Sequence, residues 1–184
     1  MNFTPDAALA ALTNDELVAQ IALTTWPTWQ VTHVLNARGS AMLDAVLRGL
    51  QHSHPQVRRW CAELLDHNAD DRCIEPLLTL MDDPVDHVRW QAVHSLSCQR
   101  CKVMPLDVQA HVTQRMIDLA LNDRCTRVRK EALAALALRP DAATPDVLAQ
   151  IRAFAAELES RDALSKRERA YLRGLRQALT QFDA

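Results

Sequence analysis

One nine-residue pattern occurs three times in this 184-residue chain and limits what it can fold into more than any other feature. Val57-Arg58-Arg59-Trp60-Cys61-Ala62-Glu63-Leu64-Leu65 aligns with Val88-Arg89-Trp90-Gln91-Ala92-Val93-His94-Ser95-Leu96 and with Val128-Arg129-Lys130-Glu131-Ala132-Leu133-Ala134-Ala135-Leu136. Each copy has Val-Arg, a small residue four after the valine, and leucine eight after it. The copies are 31 and then 40 residues apart, and the nine extra residues fall between Cys98 and Leu106. Upstream of each Val-Arg lies a second apolar series at helical spacing: Leu43/Val46/Leu47/Leu50, Ile74/Leu77/Leu78/Met81 and Met116/Ile117/Leu121. Two amphipathic helices per period of about 30 to 45 residues mark an α-solenoid. One such pair cannot bury its apolar face alone, so the pairs must stack.

The helix boundaries can be read from local signals. Thr4-Pro5-Asp6 opens a short first helix with Thr4 as its cap, and Thr13-Asn14-Asp15-Glu16 is a capping box for a second. Pro27 stops that second helix, and Gly39 closes its partner. The pairs 40–52 with 54–68, 70–82 with 85–98, and 105–122 with 125–138 follow. Thr144-Pro145-Asp146 starts a long helix, and the box Ser165-Lys166-Arg167-Glu168 starts the last one. In that last helix Tyr171, Leu172, Leu175, Ala178, Leu179 and Phe182 share one face. Lys166, Arg169, Arg173 and Arg176 form a stripe opposite, which reads as a solvated face or a local anion site.

Asp83-Pro84, Val88-Arg89, Ala92 and Leu96 together spell D-P-x-x-x-V-R-x-x-A-x-x-x-L. This resembles the HEAT-like repeat of the phycobilisome-lyase type over roughly residues 40–140. The resemblance implies an all-α fold, a right-handed α-solenoid of about four to five helix pairs. It transfers no catalytic residue. The expected organisation is a single domain over 1–184, with a degenerate repeat at 1–39, three clear repeats at 40–140 and capping helices at 141–184.

Composition narrows the function. No Gly-rich phosphate loop, GxSxG or HExxH occurs, so no enzyme activity is expected. No apolar run approaches the roughly 18 residues of a membrane span, and the start lacks a basic n-region, so no secretory leader is expected. Five cysteines, odd in number and within helical patterns, point to a reduced cytoplasm. Residues 1–99 carry a net charge of −6 and residues 100–184 of +4. That polarity fits solvated helix faces, an acidic partner at the basic end, or head-to-tail contact between copies. A sequence pI near 6.4 argues against an extended nucleic-acid surface.

Advancing about 100° per residue from Val88 places Ala92, Ser95 and Leu96 on the buried side and Trp90, His94, Cys98 and Cys101 on or beside the opposite one. The HEAT resemblance implies that the second helix of each pair lines a concave surface. Arg59, Trp90 and Lys130 occupy equivalent positions in the three copies and would stand side by side there, with His94 beside them. An exposed indole between cations would anchor a protein or peptide partner, or else fold over a neighbouring helix. The expected function is therefore non-catalytic protein or peptide binding through Arg59, Trp90, His94 and Lys130. A nucleic-acid-binding solenoid and a lyase-type or metal-dependent accessory factor are the alternatives.

His94-x3-Cys98-x2-Cys101 sets three soft ligands on adjacent turns, with Cys125 a candidate fourth. One CxxC without a second leaves plain thiols as the leading reading, with metal binding and a redox or disulfide role for Cys98 and Cys101 as the alternatives, and no cofactor is expected. Cys61 holds the small-residue core position and Trp60 lies beside the core; Trp26 and Trp29 flank Pro27 and should close the N-terminal end. Arg58, Arg89 and Arg129 should form a structural row that bonds helix-end carbonyls or Asp83, Asp86 and Asp123.

Overall fold

The computed structural model describes residues 5–23, 25–98, 110–139 and 144–182. Among them are eleven α-helices and no strand. The helices are α1 (Ala7–Ala11), α2 (Asn14–Leu23), α3 (Thr28–Ala37), α4 (Leu43–Gly49), α5 (Pro55–Asn68), α6 (Ile74–Leu80), α7 (Asp86–Ser97), α8 (Ala110–Asn122), α9 (Thr126–Leu136), α10 (Pro145–Glu159) and α11 (Lys166–Phe182). No described helix is long and apolar enough to cross a membrane. Contacts gather into two compact units, residues 1–107 and 108–184, described in turn. The expectation of one domain over 1–184 stands beside this division as a reading of the sequence.

Local chemistry accounts for the boundaries. Both capping boxes form. The Thr13 amide donates to Glu16 Oε2 at 2.8 Å and the Glu16 amide to Thr13 Oγ1 at 3.3 Å. The Ser165 amide donates to Glu168 Oε2 at 2.8 Å and the Glu168 amide to Ser165 Oγ at 3.2 Å. These hydrogen bonds to Thr13 and Ser165 hold both glutamates below the usual carboxylate range. Thr4 lies outside the described residues, and the cap of α1 is Asp6, whose carboxylate accepts from the Ala8 amide at 2.7 Å. Gly39, after the end of α3, takes φ +54°, a conformation costly for any residue with a Cβ.

In the first unit α5 is central, packed on α2, α3, α4 and α7, while α7 also packs on α6. Val57, Cys61, Leu65, Val88, Ala92 and Leu96 are all fully buried, as the repeat register requires. Of the first-helix series, Leu43, Val46, Leu50, Ile74, Leu77 and Met81 are buried, whereas Leu47 and Leu78 are half-buried. Ser95 joins the two second helices by donating from Oγ to the Ala62 carbonyl at 2.7 Å, wholly within the core.

In the second unit α8 packs on α9 and α10 on α11, with α9 touching both of the latter. Val128, Ala132 and Leu136 are again fully buried. On α11, Leu172, Leu175 and Ala178 are buried and Tyr171, Leu179 and Phe182 half-buried. Lys166, Arg169, Arg173 and Arg176 are exposed on the far side, Arg176 paired with Glu159 at 2.8 Å. The Tyr171 hydroxyl bonds Glu131, and its ring meets Phe154 edge-on at 6.1 Å.

The three Val-Arg arginines share one geometry. Nη1 of Arg58, Arg89 and Arg129 donates to the backbone carbonyl six residues back, at His52 (2.8 Å), Asp83 (2.8 Å) and Asp123 (2.6 Å). At the same three positions the side chain accepts from the amide two residues on: His52 from His54 at 3.0 Å, Asp83 from Val85 at 2.9 Å, Asp123 from Cys125 at 2.7 Å. Arg58 also forks onto Asp83, Nε to Oδ2 at 2.6 Å and Nη2 to Oδ1 at 2.9 Å, tying one repeat to the next. Asp86 accepts from the His87 amide at 2.8 Å.

Gly49 lets α4 and α5 approach closely. A Cβ there would lie 2.3 Å from Cys61 Sγ and 2.9 Å from Val18 Cγ1, both fixed in the core. Burial also pushes the Cys61 thiol up to about 12, so this sulfur is a packing group without thiolate character. Gly49→Ala should therefore cost about 1–3 kcal/mol in a denaturant titration, the scale of overpacking. Cys61→Ala added to it should restore part of that loss, and strictly additive losses would contradict the packing.

Candidate functional site

The described cluster that carries chemistry lies where the C-terminal turns of α5 and α7 meet. Trp90, His94 and Cys98 follow one another at four-residue intervals and so share one face of α7. The Trp90 and His94 rings stack, centroids 5.6 Å apart and 9° from parallel. His94 Nε2 lies 3.4 Å from Oδ2 of Asp66 on α5. Cys98 is the first residue past the helix, its amide still donating to the His94 carbonyl at 2.9 Å. One ligand atom from each of Asp66, His94 and Cys98 lies within 4.8 Å of the other two. Asp66 is buried, and His94 and Cys98 are half-buried.

The expected binding row is rearranged. Trp90 was expected in solvent and is only 6 % exposed. The helical wheel assumed one buried face, but α7 has α5 on one side and α6 on another, and buries Val88, Arg89, Trp90, Gln91, Ala92, Val93, Ser95 and Leu96 nearly all round. Its indole thus supports His94 from within and does not reach outward. Arg59 stays partly exposed, paired with Glu63 at 3.0 Å and lying 4.6 Å over the Trp60 ring. Lys130 belongs to the second unit, where it pairs with Glu157 and sits 5.1 Å from the Phe154 ring centre. Of the four, the structure brings together Trp90 and His94.

The expected metal ligands divide as well. His94 and Cys98 meet, Cys101 lies outside the described residues, and Cys125 caps α9 in the second unit. Asp66 was missed. Counted from Val57 it falls at about 180° on the wheel, the same side as Trp90 and His94 in their repeat, so a search that admitted carboxylates beside imidazole and thiol would have found it. Trp29, expected with Trp26 to close the N-terminal end, is 54 % exposed, and Leu23, across the α2–α3 turn, is 61 % exposed.

Comparison with known proteins bears on the repeat type. Residues 43–105 match the model of the HEAT repeats family, a stretch that contains both the Val57 and Val88 copies. Over that stretch the chain is similar to HEAT repeats. The match is to HEAT repeats as a class and does not single out the phycobilisome-lyase type. No curated protein matches the chain. Among solved structures, an engineered protein is 19 % identical with a TM-score of 0.45, over 90 % of this chain and 80 % of that one. A designed armadillo repeat protein in complex with the peptide (KR)4 is 14 % identical with a TM-score of 0.44, over 94 % and 89 %.

Proposed function

We propose that this HEAT-like chain is a non-catalytic protein- or peptide-binding module of the cytoplasm. The observation that supports this reading is the apolar surface at the α2–α3 turn, where Trp29 and Leu23 stand more than half exposed within seven residues of each other. Tryptophan is among the residues that dominate interface energetics, so an indole left more than half in water is a natural contact for a partner. Arg59, partly exposed on α5, would add a polar contact. Trp90 is no longer the anchor, and Lys130 has its own pairing in the second unit.

The reading is tested by affinity capture from the native host with the wild-type chain, Trp29→Ala and Leu23→Asp. Both variants should keep their stability within about 1 kcal/mol, as surface changes usually do. Each should weaken the captured complex by about 2 kcal/mol or more. Unchanged binding by both folded variants would refute the assignment.

A further inference from the structure

We infer that Asp66, His94 and Cys98 form a binding site for a single zinc-class divalent cation. This inference stands apart from the proposed protein-binding role, since neither Trp29 nor Leu23 takes part in it. The three donors come from two helices held together by the core. Asp66 is on the last full turn of α5, and His94 and Cys98 are on the last turn and C-cap of α7.

Carboxylate, imidazole and thiol are the zinc donor set, with bond lengths of about 2.0–2.3 Å; a tetrahedral ion therefore sets its ligand atoms about 3.3–3.8 Å apart. The Asp66–His94 pair already stands at 3.4 Å, and no pair of the three exceeds 4.8 Å. The largest adjustment needed is thus about 1 Å, within reach of a cysteine side chain at a helix end. Cys98 follows His94 by four positions, which places both on one side of α7 facing Asp66.

Charge favours the ion as well. Asp66 is buried; it would bind the ion as a carboxylate, and the Cys98 thiol would give up its proton to solvent as the metal–sulfur bond forms. Two negative ligands and a neutral imidazole then cancel a divalent charge, so the loaded site carries none into its half-buried surroundings. Trp90 stacks on His94 and fixes the plane of the imidazole, the task usually given to outer-shell groups around a metal. With three protein donors, one tetrahedral position is left for water or an exogenous ligand. The alternative is a plain His94–Asp66 ion pair beside an unrelated thiol.

The two are separated by titrating the reduced, chelator-stripped full chain with cobalt(II). A site of this composition should saturate at about one equivalent, with a thiolate-to-cobalt charge-transfer band that zinc abolishes by displacement. Cys98→Ser should lose the band, and Asp66→Asn should weaken binding. Zinc should raise the melting temperature of the wild type and leave that of Cys98→Ser unmoved. Cys98 lies at the end of a helix and only half-buried, so its serine variant tests the site even if the Asp66 variant does not fold. No saturable band, or one that survives intact in folded Cys98→Ser, would overturn the inference.

Discussion

Trp90→Ala should lower the stability of the first unit by about 3–5 kcal/mol, read as a shift of the denaturant midpoint at unchanged slope. The indole is only 6 % exposed, and the imidazole of His94 rests on it. Truncation opens a cavity the size of most of an indole and releases the ring that faces Asp66. Trp90→Phe should recover much of the loss, because an aromatic face is restored. A helical wheel taken alone expects the opposite, a surface change within about 1 kcal/mol. A midpoint that barely moves would therefore refute the burial itself.

Asp83→Ala should be comparably severe, at about 3–5 kcal/mol. The Asp83 carboxylate is 4 % exposed and accepts both prongs of Arg58, whose own side chain is 13 % exposed. The same carboxylate also accepts from the Val85 amide at the start of the second helix. Removing it strands a guanidinium out of water and uncaps the turn. Asp83→Asn keeps the turn acceptor but not the charge, so an intermediate loss is expected. Arg58→Lys should be damaging too, because an ammonium cannot reproduce the fork. Thermal unfolding of the four proteins under one condition would rank them, and equal stability of Asp83→Ala and wild type would exclude the network.

The repeat was legible because its signals are local and redundant. Valine, a small residue and leucine at fixed spacing on one helix suffice to name nine fully buried positions, and the capping boxes at Thr13 and Ser165 are short-range chemistry. The row of arginines was legible as structural, although its recurring acceptor, a backbone carbonyl, leaves no trace in residue type. The site was only half visible. His94 and Cys98 are near neighbours in sequence, but Asp66 joins them only because α5 and α7 pack side by side. Trp90 was misplaced for the same reason: a wheel describes one helix and carries no information about how many neighbours enclose it. The exposure of Trp29 was not legible either, since two tryptophans flanking a proline give no sign of how far each stands in water.

Each arginine clamp lies entirely within seven consecutive residues, 52–58, 83–89 and 123–129. Its bond to the carbonyl asks nothing of the distance to the next copy, which is why 31 and 40 residues of spacing are both compatible with it, and the fork of Arg58 onto Asp83 is an addition to it. The angle at which a second helix leaves its turn is set by a self-contained hinge-pin, and whatever is spliced in between copies does not feel it. A chain built this way can gain or lose length at the far end of a second helix by single mutational events, while every repeat continues to close on its own. The joint is inherited as a unit, and the spacers between joints are left open to change.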